Sequence, residues 1–82
     1  MHYFISYDIG QNRYRTKTAK ILIRHGCVRV QKSVFYLPDA LHREVTALGQ
    51  ELKNLLIETE SEEDSVLFIP VEDDGMTAVG LV

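Results

Sequence analysis

Two charged side chains stand where a small fold would ordinarily exclude them. Asp8 closes the run Tyr3-Phe4-Ile5-Ser6-Tyr7. Aspartate is a poor strand residue, and a carboxylate at the end of a core strand is costly unless something pairs with it. Arg15 is the second. On a helix running from about Arg13, residues advance by about 100° each, which places Arg15 near 200°, beside Leu22 on the apolar side. An arginine there must meet an anionic partner or emerge at an edge. Two chemistries fit the pair. Asp8 and Arg15 could form an ion pair that tethers strand to helix. Alternatively, Asp8 holds a metal ion and Arg15 meets a phosphate beside it. Four more cations, Arg13, Lys17, Lys20 and Arg24, fall within about 60° of one another on the same helix. That stripe is either an ordinary solvated face or a surface for a nucleic-acid backbone.

Other reactive side chains are sparse. The single cysteine, Cys27, forms no internal disulfide and reads as a small buried apolar residue. His2, His25 and His42 are scattered, and His25 is placed to cap the end of the first helix. No histidine or second acid stands out as a general base.

The elements that must position these residues are short. His2–Asp8 reads as a strand, rich in aromatic and β-branched residues. Gly10-Gln11-Asn12 is a turn with Asn12 as helix N-cap, and the helix runs from about Arg13 to His25, stopping at Gly26. Residues 28–37 alternate, then shift phase, giving one bent strand or two short ones with the break near Gln31–Ser33. Pro38 and Asp39 open a second helix with Asp39 at the cap; Leu41, Val45, Leu48, Leu52, Leu55 and Leu56 form its apolar stripe. Ser65–Val71 is a near-continuous apolar strand, expected to be covered on both faces. Asp73-Asp74-Gly75 is a turn signal, and Met76–Val82 could form a last strand. The order predicts an α+β fold: a ferredoxin-like βαββαβ sandwich, an antiparallel sheet with two helices on one face, plus a short C-terminal strand.

Eighty-two residues are expected to form a single domain, residues 1–82, with a thin core, for which oligomerisation is one remedy. No segment approaches the roughly 18 apolar residues needed to span a membrane, and no signal peptide is visible, so a cytoplasmic location is expected. The net charge of −3 argues against a nucleic-acid partner, but its distribution argues for one. Seven of the nine Lys and Arg lie between Arg13 and Lys32, a window without acids. Eleven of the twelve acids lie at Asp39 or later; Asp8 is the exception.

The strand ending Tyr7-Asp8-Ile9, the basic helix, and Arg29-Val30-Gln31-Lys32-Ser33-Val34-Phe35 together resemble the CRISPR-associated protein 2 family, small subunits of the prokaryotic spacer-acquisition machinery. Asp64-Ser65-Val66, entering an apolar strand that ends at Pro70, fits the same pattern. The resemblance implies a symmetric homodimer and a metal-dependent nuclease acting on RNA or double-stranded DNA. It equally implies a non-catalytic scaffold that bridges the CRISPR integrase subunits (protein 1 of the system). Carried over by position, Asp8 matches the metal-binding aspartate at the dimer interface, holding Mg²⁺ or Mn²⁺ with the partner's Asp8. Tyr7 matches its aromatic neighbour. Arg15 and Lys17 match basic positions of the first helix, and Arg29, Ser33 and Phe35 match the second motif. Lys32 stands where the family often has an aromatic residue, and Lys17 where some members have arginine. The tail is expected to pair with a strand of the partner subunit; a hairpin within the chain is the alternative.

Overall fold

A computed structural model describes residues 1–72. The elements are β1 (His2–Asp8), α1 (Asn12–Arg24), β2 (Val28–Gln31), β3 (Val34–Leu37), α2 (His42–Thr59) and β4 (Ser65–Val71). The four strands form one antiparallel sheet in the order β2-β3-β1-β4. This is the ferredoxin-like α+β arrangement. The expected C-terminal strand at 76–82 and the turn at 73–75 lie outside the described residues.

Strand side chains alternate between faces. Tyr3, Ile5 and Tyr7 of β1, with Phe35 and Leu37 of β3, point to the helices. There they meet Tyr14, Ala19 and Leu22 of α1 and Leu48, Leu52 and Leu55 of α2. Arg15 therefore enters at the rim of a well-filled layer, and Asp8 leaves that layer at the end of the central strand β1.

The connections explain where each element stops. Residues 28–37 form two strands joined through Lys32 and Ser33, with a bulge between Arg29 and Gln31. The end of α1 is a full Schellman motif: Gly26 N–H donates to Ile23 O at 3.0 Å, and Cys27 N–H to Leu22 O at 3.0 Å. Gly26 has φ +89°, which its lack of a Cβ allows.

Three expectations change. Gln11, not Asn12, is the N-cap of α1: its backbone is extended and its carbonyl accepts from Tyr14 and Arg15 N–H, both at 3.1 Å. The second helix opens at His42, three residues after Asp39. Asp39 has φ +51°, whereas an N-cap needs extended backbone. The segment is held elsewhere, because Ala40 N–H donates to Met1 O at 2.9 Å. Leu41 becomes the N-cap, with Glu44 Oε1 accepting its N–H at 2.8 Å. Finally, among the described residues β4 is covered on one face only. Val66 and Phe68 are half-buried under the helices, while Leu67 and Ile69 are 59% and 41% exposed. Both helices lie on one side of the sheet, so the other side of β4 carries its apolar residues uncovered.

Candidate functional site

The end of β1 opens into a shallow cleft of about 300 Å³, lined by Tyr7, Asp8, Ile9, Arg15, Thr16, Arg29, Lys32 and Ser33. Five residues singled out from the sequence, Tyr7, Asp8, Arg15, Arg29 and Ser33, thus converge from β1, α1, β2 and the β2–β3 turn. Asp8 pairs in register with Ser65 of β4 and is exposed. Its carboxylate makes no hydrogen bond or ion pair among the described residues. Among the described residues, one anion therefore shares the cleft with three cations, Arg15, Arg29 and Lys32. This balance favours an anionic ligand and leaves the carboxylate available to a cation.

Arg15 does not form the expected ion pair with Asp8. Its Nη1 donates to Ile9 O at 3.0 Å and Gly10 O at 2.9 Å, and Nη2 reaches Asn12 Oδ1 at 3.4 Å. The guanidinium emerges at the edge of the apolar layer and satisfies carbonyls just past the strand. On the other side, Gly10 N–H donates to Asp64 Oδ1 at 3.0 Å. The Ile9–Gly10 segment, which follows Asp8 directly, is thus held from both directions. Asp64, read from the sequence only as part of the family pattern, is also a positioning residue. Its signal was its place immediately before β4, whose first residue pairs with Asp8.

Tyr7 and Phe35 are supports. Both are buried and their rings stack at 6.2 Å. Tyr7 N–H donates to Ser33 O at 3.1 Å and its hydroxyl to Lys32 O at 3.3 Å. Phe35 presents its ring to Arg29, whose guanidinium carbon lies 5.0 Å from the centroid. The bulge between Arg29 and Gln31 sits beside the cleft, as bulges next to functional sites often do.

The helix stripe lies apart from the cleft, beside α2. Lys17 Nζ is 3.4 Å from Glu58 Oε1, and Arg24 pairs with Glu51. Arg13 Nη2 donates to the Tyr14 hydroxyl at 2.7 Å and lies over that ring. Lys20 alone of the four makes no hydrogen bond or ion pair among the described residues. His25 occupies the C-cap position, but its ring Nε2 reaches Glu51 Oε1 at 3.1 Å. Cys27 is buried, and burial pushes its thiol up to about 11. It is protonated at neutral pH and therefore a poor nucleophile.

The model of the CRISPR associated protein Cas2 family matches residues 1–79. The chain belongs to the Cas2 family. Among solved structures it is similar to Cas2 of Streptococcus pyogenes, with a TM-score of 0.76 and 21% identity, covering 96% of this chain and 94% of that one. It is also similar to a chain of a partial Cas6-RT-Cas1–Cas2 complex, with a TM-score of 0.77 and 24% identity, covering 93% and 78% of the two chains. These likenesses carry the fold. No curated protein matches the chain at the level of sequence.

Membership in the Cas2 family sharpens the reading of the donor set. Mg²⁺ takes oxygen ligands, commonly one or two carboxylates with water and substrate phosphate. Among the described residues no group of three or more His, Cys, Asp or Glu converges. Among those residues Asp8 is the one carboxylate lining the cleft. In this Cas2-family chain Asp8 is thus an oxygen donor of the type a hard cation prefers. No helix among the described residues is long and apolar enough to cross a membrane.

Proposed function

We propose that this Cas2-family chain acts as a homodimer in CRISPR adaptation, binding RNA or double-stranded DNA at the Asp8 cleft and hydrolysing phosphodiesters with Mg²⁺ (or Mn²⁺). The observation that carries this reading is the unpaired, exposed Asp8 carboxylate beside three cations. A nuclease site needs such a set: an anion for the metal, and positive charge for the phosphate.

The exposed apolar residues of β4, on the sheet face away from the helices, support a homodimer. Phe4, Val34, Ile69 and Val71 line an apolar depression there, flanked by exposed Leu67. Such a surface calls for a partner. Asp8 shares the alternation of Phe4 and Ser6, so its Cα–Cβ direction is that of the open face. A second copy packed on this side would bring the partner's Asp8 close. The two carboxylates would then hold one ion, which when bound polarises the phosphodiester and lowers the pKa of its water. The cations of the cleft bind and orient the phosphate, and Arg15 with Asp64 fixes the backbone behind Asp8.

A second reading is a scaffold that binds the phosphate backbone without cleaving it and joins the Cas1 integrase subunit. It is supported by the likeness to a chain of a complex that also contains Cas1, and by a cleft in which cations outnumber the lone acid. Asp8→Asn separates the two. The expected result is an intact dimer by light scattering, with Mg²⁺-dependent cleavage of RNA and duplex DNA lost and binding retained. Undiminished cleavage would remove Asp8 from the chemistry. Wild-type binding without cleavage would leave the scaffold.

A further inference from the structure

We infer that Lys32 is a phosphate-contacting residue of the cleft, delivered there by a turn that Tyr7 locks in place. The inference rests on the phosphodiester reading above and names the side chain that tunes its affinity.

The three cations of the cleft are not equivalent. Arg15 is committed to the carbonyls of Ile9 and Gly10. Arg29 is braced on the Phe35 ring. The Lys32 side chain makes no hydrogen bond or ion pair among the described residues, and it is exposed. Its main chain, by contrast, is tightly held. Gln31 pairs with Val34, so Lys32 and Ser33 form a two-residue turn. Tyr7 grips that turn twice, through its hydroxyl to Lys32 O at 3.3 Å and its N–H to Ser33 O at 3.1 Å. The anchor itself is rigid, because Tyr7 is buried and stacked on Phe35. The result is a fixed Cα carrying a long, unpartnered ammonium beside an unpartnered carboxylate. A lysine in that setting meets a phosphate oxygen as a point charge, tolerant of base sequence and of the phosphate's exact orientation.

The experiment uses full-length protein, EDTA to prevent cleavage, and labelled duplex DNA and single-stranded RNA. Anisotropy is followed between about 50 and 200 mM salt. Lys32→Gln is expected to weaken binding and to lower the slope of log K against log salt by about 1 for each protomer that engages the backbone. Lys32→Arg should keep the wild-type slope. Lys53→Gln, the same charge change on exposed α2, controls for net charge and should also keep it. If Lys32→Gln matches wild type, or Lys53→Gln falls as far, the inference is overturned while the reading of the cleft stands. If wild-type protein binds neither nucleic acid, both are overturned.

Discussion

Replacing Arg15 by alanine tests whether this side chain is a clamp on the backbone or a free ligand for phosphate. In the structure Nη1 donates to Ile9 O and Gly10 O at 3.0 and 2.9 Å, while the 3.4 Å contact to Asn12 is weak. Hydrogen bonds from a charged donor contribute about 1.5–3 kcal/mol each when shielded, and less when wet. The bond to Ile9 is part-buried and the one to Gly10 exposed, so the pair amounts to about 2 kcal/mol. For a domain of this size that lowers Tm by about 8–16 °C. Asp8→Ala should change stability by less than about 0.5 kcal/mol, because Asp8 has no partner among the described residues. The double variant should show no coupling between the two positions. Thermal melts by circular dichroism, at one protein concentration, measure all four corners of the cycle. A melting point for Arg15→Ala equal to wild type would refute the clamp. A coupling above about 1 kcal/mol would restore the Asp8–Arg15 ion pair.

Three further outcomes follow from single residues. Asp64→Ala should speed amide exchange at Gly10, whereas Asp64→Asn, which keeps an acceptor oxygen, should preserve protection. Equal exchange in both variants would mean that the hydrogen bond does not hold the loop. The Cys27 thiol, raised from 9.0 to about 11, should be alkylated at pH 8 about 100-fold more slowly than a free cysteine, even before access is considered. The unfolded chain releases this proton first, so stability should fall as pH rises from 9.0 to about 11, a trend that Cys27→Ala removes.

The pattern of apolar residues carried most of the fold, because it reports burial directly. The stripe on α2 and the alternation of β1 needed only periodicity. Phase change within residues 28–37 marked the β2–β3 turn, since a strand cannot change face without a bend or bulge. What failed was local chemistry overruled by distant partners. Pro38-Asp39 has the residue types of a helix start, yet pairing of Ala40 with Met1 draws that segment to the sheet. The apolar run of β4 was read as covered on both faces, but periodicity says nothing about how many layers a fold has. Within the cleft, Asp8 was conspicuous as an acid at the end of an apolar run. Arg15 was conspicuous too, but its partners are main-chain carbonyls, which no residue type announces. Asp64 stood out only as part of the family pattern, and its bond to Gly10, which spans 54 positions, was not legible.

The most direct test of the central claim is a crystal structure of the protein soaked with Mn²⁺, read for the separation of Asp8 and the partner's Asp8. The account predicts one ion between the two carboxylates, with the nearest oxygens of the pair no more than about 4.2 Å apart, twice a metal–oxygen distance near 2.1 Å. An ion bound elsewhere, or carboxylates held about 5 Å or more apart in the metal-bound dimer, would contradict a shared site.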